Sequence, residues 1–368
     1  MQEMLLNLKT LIADWQMIVM WIIGGAMIYL AIKKEMEPTL LLPMGFGAIL
    51  TNLPFSGAVE TLETLYNAGI ANELFPLILF IGIGAMIDFG PLLSNPKMLL
   101  FGAAAQFGIF FTLSVACLFG FDLTDAASIA IIGAADGPTS IVVANHYGTK
   151  YIGAIVVAAY SYMALVPIVQ PACIKLCTTK KERMIRMPYN PKSVSKTTRI
   201  LFPILVTIIA GIAAPASVAL VGFLMFGNLI RECVVLDSLS DTAQKVLANL
   251  VTIFLGITVA VNMKAANFLA PETLLILLLG LVAFVFDTFG GVFFAKFLNL
   301  FTKNKINPMV GAAGISAFPM ASRIVHKMGI QEDPQNFLLM HAAGANVAGQ
   351  IASVVAGGLI MSLIKVVG

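Results

Sequence analysis

Asp136 is the residue of this sequence whose type and surroundings point most directly to chemistry. It lies inside the apolar stretch 129–144 and is followed by Gly137 and Pro138. An ionised carboxylate within a membrane segment costs about 2.5 to 3.5 kcal/mol on insertion scales, so something must offset that cost. Gly137 permits unusual backbone angles and Pro138 can start a half-helix, which frees carbonyl oxygens beside the carboxylate. The pattern predicts a hard-cation site; the alternative is that Asp136 only caps the half-helix.

A second interrupted segment runs from 307 to 323 and contains glycines and prolines that exclude one continuous helix. Asn307 and Ser316 offer an amide oxygen and a hydroxyl, which are neutral ligands suited to a hard monovalent ion beside a single carboxylate. Either residue could instead cap a helix. Arg323 is either a functional cation or an interfacial residue that extends its charge to the membrane surface.

A third polar element lies in the last apolar segment. Asn346, Gln350 and Ser353 recur at spacings of four and three residues, so they share one face of a helix. This polar face predicts either ion ligands or hydrogen bonds between membrane helices.

Four more polar residues are ambiguous. Tyr160 and Tyr162 follow Asp136 by one segment and suit either the interfacial aromatic belt or a ligand role. Asp88 and Asp287 are further acids, which the pattern favours as cap or loop residues.

The elements that position these residues are predicted by composition. Of 368 residues 59% are hydrophobic and 11% are charged, whereas soluble domains carry about a quarter charged residues. About eleven apolar segments predict an all-α polytopic membrane protein. They fall near 17–32, 38–53, 74–90, 98–119, 125–146, 151–176, 200–229, 242–263, 272–298, 308–326 and 335–365. The net charge of +3 does not support nucleic-acid binding. The sequence contains no phosphate-binding P-loop motif, so it gives no indication of ATP hydrolysis.

Charge divides the chain into two membrane halves. The basic connection 177–199 is predicted to be cytoplasmic. It separates an N-terminal half, residues 1–176, from a C-terminal half, residues 200–368. The first half contains the broken segment 125–146, and the second contains the broken segment 307–326. Lys33 and Lys34 indicate the same side for their loop. Five full crossings between these loops would separate them, so 125–146 is predicted to be re-entrant.

Two pairs of similar sequence segments indicate an internal repeat. Residues 80–88 resemble 254–262, and residues 133–136 resemble 311–314 in the same order. Interrupted apolar segments at matching places in two halves predict a transporter site where the breaks meet near the membrane midplane. Chance similarity between Gly/Ala-rich helices is the alternative.

The sequence resembles the β subunits of the biotin-dependent Na+-pumping decarboxylases of oxaloacetate, methylmalonyl-CoA and glutaconyl-CoA. The similarity extends from about residue 15 to the C-terminus and is carried by Asp136-Gly-Pro-Thr-Ser and by the runs at 84–93, 307–323 and 344–349. The resemblance implies that Asp136, Asn307 and Asn346 bind Na+ and that Tyr162 and Ser316 form a second ion or proton position. It also implies that Gly311 shapes the second break and that Arg323 faces carboxybiotin.

The same resemblance implies cofactors and partners. The chain would decarboxylate carboxybiotin and couple this reaction to Na+ export and proton uptake. No Ala-Met-Lys-Met biotinylation sequence is present, so the biotin would come on a separate carrier subunit. A carboxyltransferase α subunit, a small γ or δ membrane subunit and a homotrimer of β in a prokaryotic cytoplasmic membrane are expected. The shorter N-terminus favours an acyl-CoA substrate for the complex. The alternative function is a Na+-coupled secondary transporter of an organic anion.

Overall fold

The regular elements of the chain are helices. The computed structural model describes residues 10–11, 13–36, 38–188 and 193–365, and no strand occurs within these ranges. Short 3₁₀ or π turns join several helices. In chain order the helices are α1 Gln16–Lys34, α2 Pro38–Thr51, α3 Ala58–Gly69, α4 Leu74–Met86, α5 Gly90–Ser94, α6 Leu99–Ala104, α7 Phe107–Leu118, α8 Leu123–Ala130, α9 Gly137–Tyr147, α10 Ile152–Cys177, α11 Lys180–Arg183, α12 Lys196–Ala213, α13 Val218–Cys233, α14 Asp237–Asp241, α15 Ala248–Val259, α16 Ala265–Phe268, α17 Pro271–Phe301, α18 Pro308–Ala312, α19 Met320–Glu332 and α20 Leu339–Leu363.

The all-α membrane architecture is confirmed, with fewer spans than the sequence suggests. In the part of the chain that the structure describes, eight helical runs are long and apolar enough to cross a membrane, or nine if α3 and α4, bent by 65°, form one span. The segments at 38–53, 125–146 and 308–326 fold into helices too short to cross alone. The segment at 200–229 is instead two helices, α12 and α13, because Ala214 and Pro215 interrupt it.

Both predicted breaks are present. The first segment folds as α8, a 3₁₀ turn at Ile131–Ala134 and then α9. The second folds as the five-residue α18, an irregular stretch at 313–319 and then α19. The repeat relation between the halves, with 1–176, 177–199 and 200–368 as its parts, stays a prediction. Residues 1–9, 12, 37, 189–192 and 366–368 of those parts lie outside the described residues.

Small residues allow the helices around the breaks to approach closely. A Cβ added to Gly311 of α18 would lie 2.0 Å from the carbonyl oxygen of Gly291 in α17. One added to Gly349 of α20 would lie 2.1 Å from the carbonyl oxygen of Gly314. Membrane helices pack closely where side chains are small, so α17 and α20 fix the second break from two sides.

The basic connection is tied to the end of α19 by ion pairs. Arg183 Nε lies 2.6 Å from Glu332 Oε1, and Arg186 Nε lies 2.5 Å from Asp333 Oδ2. The hydrogen bond from Arg186 holds the pKa of Asp333 below its usual range. These contacts attach the helix that follows the second break to the connection between the two halves.

Candidate functional site

Asp136 begins the half-helix of the first break. The 3₁₀ turn ends at Ala135, whose φ of 52° is left-handed, and Asp136 then caps α9. Pro138 sits in the first turn, where an N–H would have no helical partner. One carboxylate oxygen of Asp136 accepts the amide of Thr139 at 3.5 Å. The residue is therefore a cap, and its carboxylate keeps lone pairs that can bind a further ligand.

The Oδ2 atom of Asp136 accepts hydrogen bonds from three neutral donors. They are Thr139 Oγ1 at 2.7 Å, Ser353 Oγ at 3.1 Å and Gln350 Nε2 at 3.3 Å. The side chain of Asp136 is only 3% exposed, and no ion pair involves it among the described residues. Hydrogen bonds donated to a carboxylate favour its ionised form, yet they leave its charge uncompensated. The negative charge thus remains available to a cation.

The second break lies against the first. Ser316 donates its hydroxyl to the carbonyl oxygen of Ala134, two residues before Asp136. Asn346 of α20 donates its amide to the carbonyl oxygen of Ile315 at 2.7 Å. The polar face of α20 therefore bonds to both breaks, and the predicted meeting of the two segments is confirmed in this geometry.

Several buried oxygen atoms in this region have no hydrogen-bond partner within the described ranges. Asn346 Oδ1 and the Tyr160 hydroxyl are two of them, and Gln170 Oε1 on α10 is a third. The ring of Tyr160 packs on Gly137, where an added Cβ would come within 2.4 Å of it. Buried polar atoms normally have partners, so uncommitted oxygens beside the two breaks indicate a ligand site.

Two expected site residues make other contacts. The side-chain oxygen of Asn307 accepts the amide of Met309 and so caps α18. Its side-chain nitrogen donates to the carbonyl oxygens of Arg183 and Ile185, at 2.8 and 2.9 Å, in the basic connection. Tyr162 donates to the Leu277 carbonyl oxygen in α17. Neither bonds to Asp136.

Gly311 and Arg323 have different surroundings. Gly311 packs against α17, where the absence of a side chain allows the close contact, and it offers no side-chain ligand atom. Arg323 is exposed on α19, and its guanidinium forms no ion pair with any residue in the described ranges. It is therefore free to bind an anion from outside the chain.

The other two acids, expected to be cap or loop residues, each accept a backbone amide at the start of a helix. Asp88 lies in the loop before α5, where it accepts the Gly90 amide at 2.8 Å and faces Arg199 at 3.3 Å. Asp287 is not a loop residue: it lies in the middle of α17 with no exposed surface. It caps α7, a helix distant in sequence, through the amide of Ile109 at 3.2 Å. Its position could not be read from local sequence because that cap joins residues 178 apart.

The sequence did not identify Thr139 or Gln170. It also did not decide whether Tyr160 is a ligand or a residue of the interfacial aromatic belt. The three-residue spacing from Asp136 to Thr139 is a recognisable cap pattern and could have identified Thr139. Gln170 donates to the Ala312 carbonyl oxygen at 2.8 Å, so it contacts the second break. A glutamine inside the apolar segment 151–176 was the available signal in the sequence.

The assembled donor set suits a monovalent cation. It combines one carboxylate with hydroxyl, amide and backbone carbonyl oxygens, which are hard ligands for a hard ion. Across the described ranges no three His, Cys, Asp or Glu side chains form a metal-binding group. One negative charge surrounded by neutral oxygens matches the charge of an alkali ion.

Comparison with known proteins places the chain in a family. Residues 16–364 match the family described as the Na+-transporting oxaloacetate decarboxylase beta subunit. The methylmalonyl-CoA decarboxylase subunit beta of Veillonella parvula is 49% identical over 94% of this chain and 93% of its own length. The glutaconyl-CoA decarboxylase subunit beta of Acidaminococcus fermentans is 48% identical over 95% and 94%. The oxaloacetate decarboxylase beta chain 2 of Salmonella typhi is 43% identical over 94% and 94%. The buried carboxylate, the two breaks and these similarities together identify the chain as a member of the family of beta subunits of Na+-transporting decarboxylases.

Proposed function

We propose that the chain decarboxylates carboxybiotin and uses this reaction to export Na+ through the Asp136 site, with proton uptake. The observation that carries the proposal is the uncompensated Asp136 carboxylate, which accepts only neutral donors where the two breaks meet. Exporting one charge against 100 mV requires about 2.3 kcal/mol, so ion binding and release must alternate between the two faces as the reaction proceeds.

Na+ would bind at Asp136 with help from nearby neutral oxygens. Asn346 Oδ1 and the Tyr160 hydroxyl are two buried oxygen atoms that have no hydrogen-bond partner among the described residues. Protonation of the carboxylate would remove the charge that holds the ion and so expel it. Ser316 would relay movement of the second break to the first through its bond to Ala134. Asn307 and Tyr162 complete the ligand set that the family resemblance suggests, and in this conformation they bond elsewhere.

Arg323 is the proposed partner of carboxybiotin. Carboxybiotin is an anion, and its decarboxylation takes up one proton as the N–C bond breaks and CO2 leaves. The residues fit such a ligand because Arg323 is exposed and its guanidinium is uncommitted among the described residues. Arg323 would bind and orient the carboxylate, and the biotin ring would supply the leaving nitrogen.

A cavity beside the basic connection offers room for a ligand of this size. It has a volume of about 910 Å³ and lies between the end of α17 and the start of α20. Lys97 and Lys303 line it, and no acidic side chain does. Positive walls without acids attract an anion. We assign it as the route by which the carboxylated carrier approaches the membrane domain.

The proposal requires partners. A β subunit acts within a multi-subunit complex, and a carboxyltransferase α subunit, a γ or δ membrane subunit and a biotin carrier are the partners that fit a chain without its own biotinylation sequence. A homotrimer of β in a prokaryotic cytoplasmic membrane completes the expected assembly. The similarities include both acyl-CoA and oxaloacetate decarboxylases, and the higher identities belong to the acyl-CoA members.

Two measurements test the proposal. The complex, reconstituted in sealed vesicles, is expected to accumulate radioactive Na+ when its decarboxylation substrate is added, and avidin should retain this chain together with a biotinylated protein. A Na+-coupled secondary transporter would accumulate an added organic anion down a Na+ gradient and would not be retained on avidin. That second pattern would reject the decarboxylase function.

A further inference from the structure

A second carboxylate lies inside the membrane domain, outside the Asp136 site. Asp287 is in the middle of α17, and its side chain has no exposed surface. Its Oδ1 atom accepts the amide of Ile109 at 3.2 Å, in the first turn of α7. Its Oδ2 atom has no hydrogen-bond partner within the described residues. An acid inside a membrane protein is costly, and one without a counter-charge needs a functional reason.

Two glycines border the Asp287 carboxylate. A Cβ on Gly108 would lie 2.7 Å from Oδ1, and a Cβ on Gly133 would lie 2.9 Å from Oδ2. Gly133 belongs to the 3₁₀ turn Ile131–Ala134, which leads directly into Asp136. The bare oxygen therefore faces the turn that must shift if the first break changes its shape.

Among the described residues no charged side chain pairs with Asp287. The 3₁₀ turn contributes no titratable group, α7 contributes only the exposed Cys117, and α8 contributes Asp125, which bonds to Thr149. On α17 itself the charged residues are Glu272, at the start of the helix, and Lys296, which pairs with Glu182. On α10, Tyr162 bonds to the Leu277 carbonyl oxygen of α17, and the ring of Tyr160 packs on Gly137.

The two oxygens of Asp287 favour opposite charge states. The helix N-terminus and its amide stabilise the negative charge at Oδ1. Oδ2 lies in apolar surroundings without a donor, which favours a bound proton. A small displacement of the 3₁₀ turn would add or remove contacts at Oδ2 and so change which state is favoured.

We propose that Asp287 is a proton-exchanging carboxyl group whose protonation follows the position of the 3₁₀ turn before Asp136. The inference rests on the proposed Na+ pump and names the residue that takes up the exchanged proton. When Na+ occupies Asp136, the 3₁₀ turn would be held in one position and Asp287 would keep one charge state. Release of the ion would allow the turn to move and Asp287 to change its charge state. Only an O–H bond forms or breaks, and the proton comes from and returns to water.

The test uses the whole complex in sealed vesicles with the membrane potential clamped by K+ and valinomycin. Asp287→Asn keeps the size and the acceptor for Ile109 N but cannot bind a proton. We expect this variant to lose the pH change in the vesicle lumen that accompanies Na+ uptake. Glu272→Gln, an exposed acid on the same helix, should retain it. An unchanged lumenal pH response in Asp287→Asn would overturn the proposal and leave Asp287 as a cap.

Infrared spectroscopy supplies a second readout if Asp287→Asn does not assemble. In the Asp136→Asn complex Asp287 keeps its carboxyl group while the ion site is lost. Acidification should then produce the carbonyl stretch of a protonated, slowly exchanging carboxylic acid. Absence of that band would refute proton binding at Asp287. Retention of Na+ transport by Asp136→Asn would refute the proposed pump instead, so the two failures are distinguishable.

Discussion

Ser353 donates its hydroxyl to Asp136 Oδ2 over 3.1 Å, and this bond connects residues that are 217 positions apart. Seven residues earlier on the same helix, Asn346 binds the Ile315 carbonyl oxygen of the other break. At 1.5 Å per helical residue these two contacts are about 10 Å apart along the axis. A shift of α20 along its axis would therefore alter both breaks together, which is the property that alternating access requires.

The Ser353 hydrogen bond should tune ion affinity. Ser353→Ala removes one donor from the ionised carboxylate, and a hydrogen bond to a charged group is worth about 1.5 to 3 kcal/mol. Protons should then compete better with Na+, so the Na+ concentration for half-maximal decarboxylation should rise, most strongly at low pH. Ser362→Ala is the matched control, because Ser362 is exposed on the same helix and bonds only to Gly358 O. An unchanged or lower Na+ requirement in Ser353→Ala would contradict the assignment.

Gly311 should be intolerant of a side chain. Gly311→Ala places a Cβ 2.0 Å from the Gly291 carbonyl oxygen, so α17 and α18 must separate. Overpacking of this kind costs about 1 to 3 kcal/mol, and the variant should melt at a lower temperature in detergent. Gly25→Ala is the control, since no atom lies within 4 Å of its added Cβ and alanine favours the helix. Equal melting temperatures for the two variants would show that the close contact is unimportant.

The sequence was sufficient for the membrane class and for the two breaks. Apolar runs report burial in lipid directly, and Asp136 stands out because an acid there is costly. The polar face of α20 was also visible, since its spacing follows helix geometry. The predicted apolar segments, about eleven, outnumber the eight or nine runs that are long enough to span a membrane, because segments such as 38–53, whose helix has 14 residues, are apolar but short.

The partners of each polar residue could not be predicted. Asn307 was expected to bind the ion, yet the basic connection, more than 120 residues earlier, takes both of its amide hydrogens. Tyr160 and Tyr162 differ by two positions, which places them on nearly opposite sides of α10; only the packing of that helix decides which one faces Gly137. Contacts between residues far apart in sequence carry this information.

The ion pair between Arg186 and Asp333 should make stability depend on pH. Because Arg186 holds the pKa of Asp333 below its usual range, the folded chain binds this proton less readily than the unfolded chain does. The stabilisation is therefore present above the ordinary range of aspartate and is lost as pH falls through the lowered pKa. Asp333→Asn should reduce the dependence of the melting temperature on acid pH. The exposed pair of Asp241 with Lys245 provides the control variant Asp241→Asn. A steeper acid dependence in Asp333→Asn would contradict this account.

The re-entrant first break makes a topological prediction. If neither 125–146 nor the bent pair α3 and α4 crosses the membrane, only Pro96–Leu118 and Ile152–Cys177 cross between Lys33 and Lys181, and both lysines lie on the same, cytoplasmic side. Each is exposed, so each can be replaced by cysteine in a background without the four native cysteines. A membrane-impermeant thiol reagent should label both from the cytoplasmic side only. Labelling of the two positions from opposite sides would contradict this topology and require an additional crossing, at 125–146 or at the α3–α4 pair.

The most direct test of the account is the Asp136→Asn variant of the reconstituted complex, assayed for Na+ uptake and for CO2 release with and without Na+. Asparagine keeps the size and one acceptor oxygen but removes the charge that is available to the ion. We expect Na+ uptake and the Na+ stimulation of decarboxylation both to be lost while the complex still assembles. Substantial Na+ uptake coupled to decarboxylation in that variant would contradict this expectation.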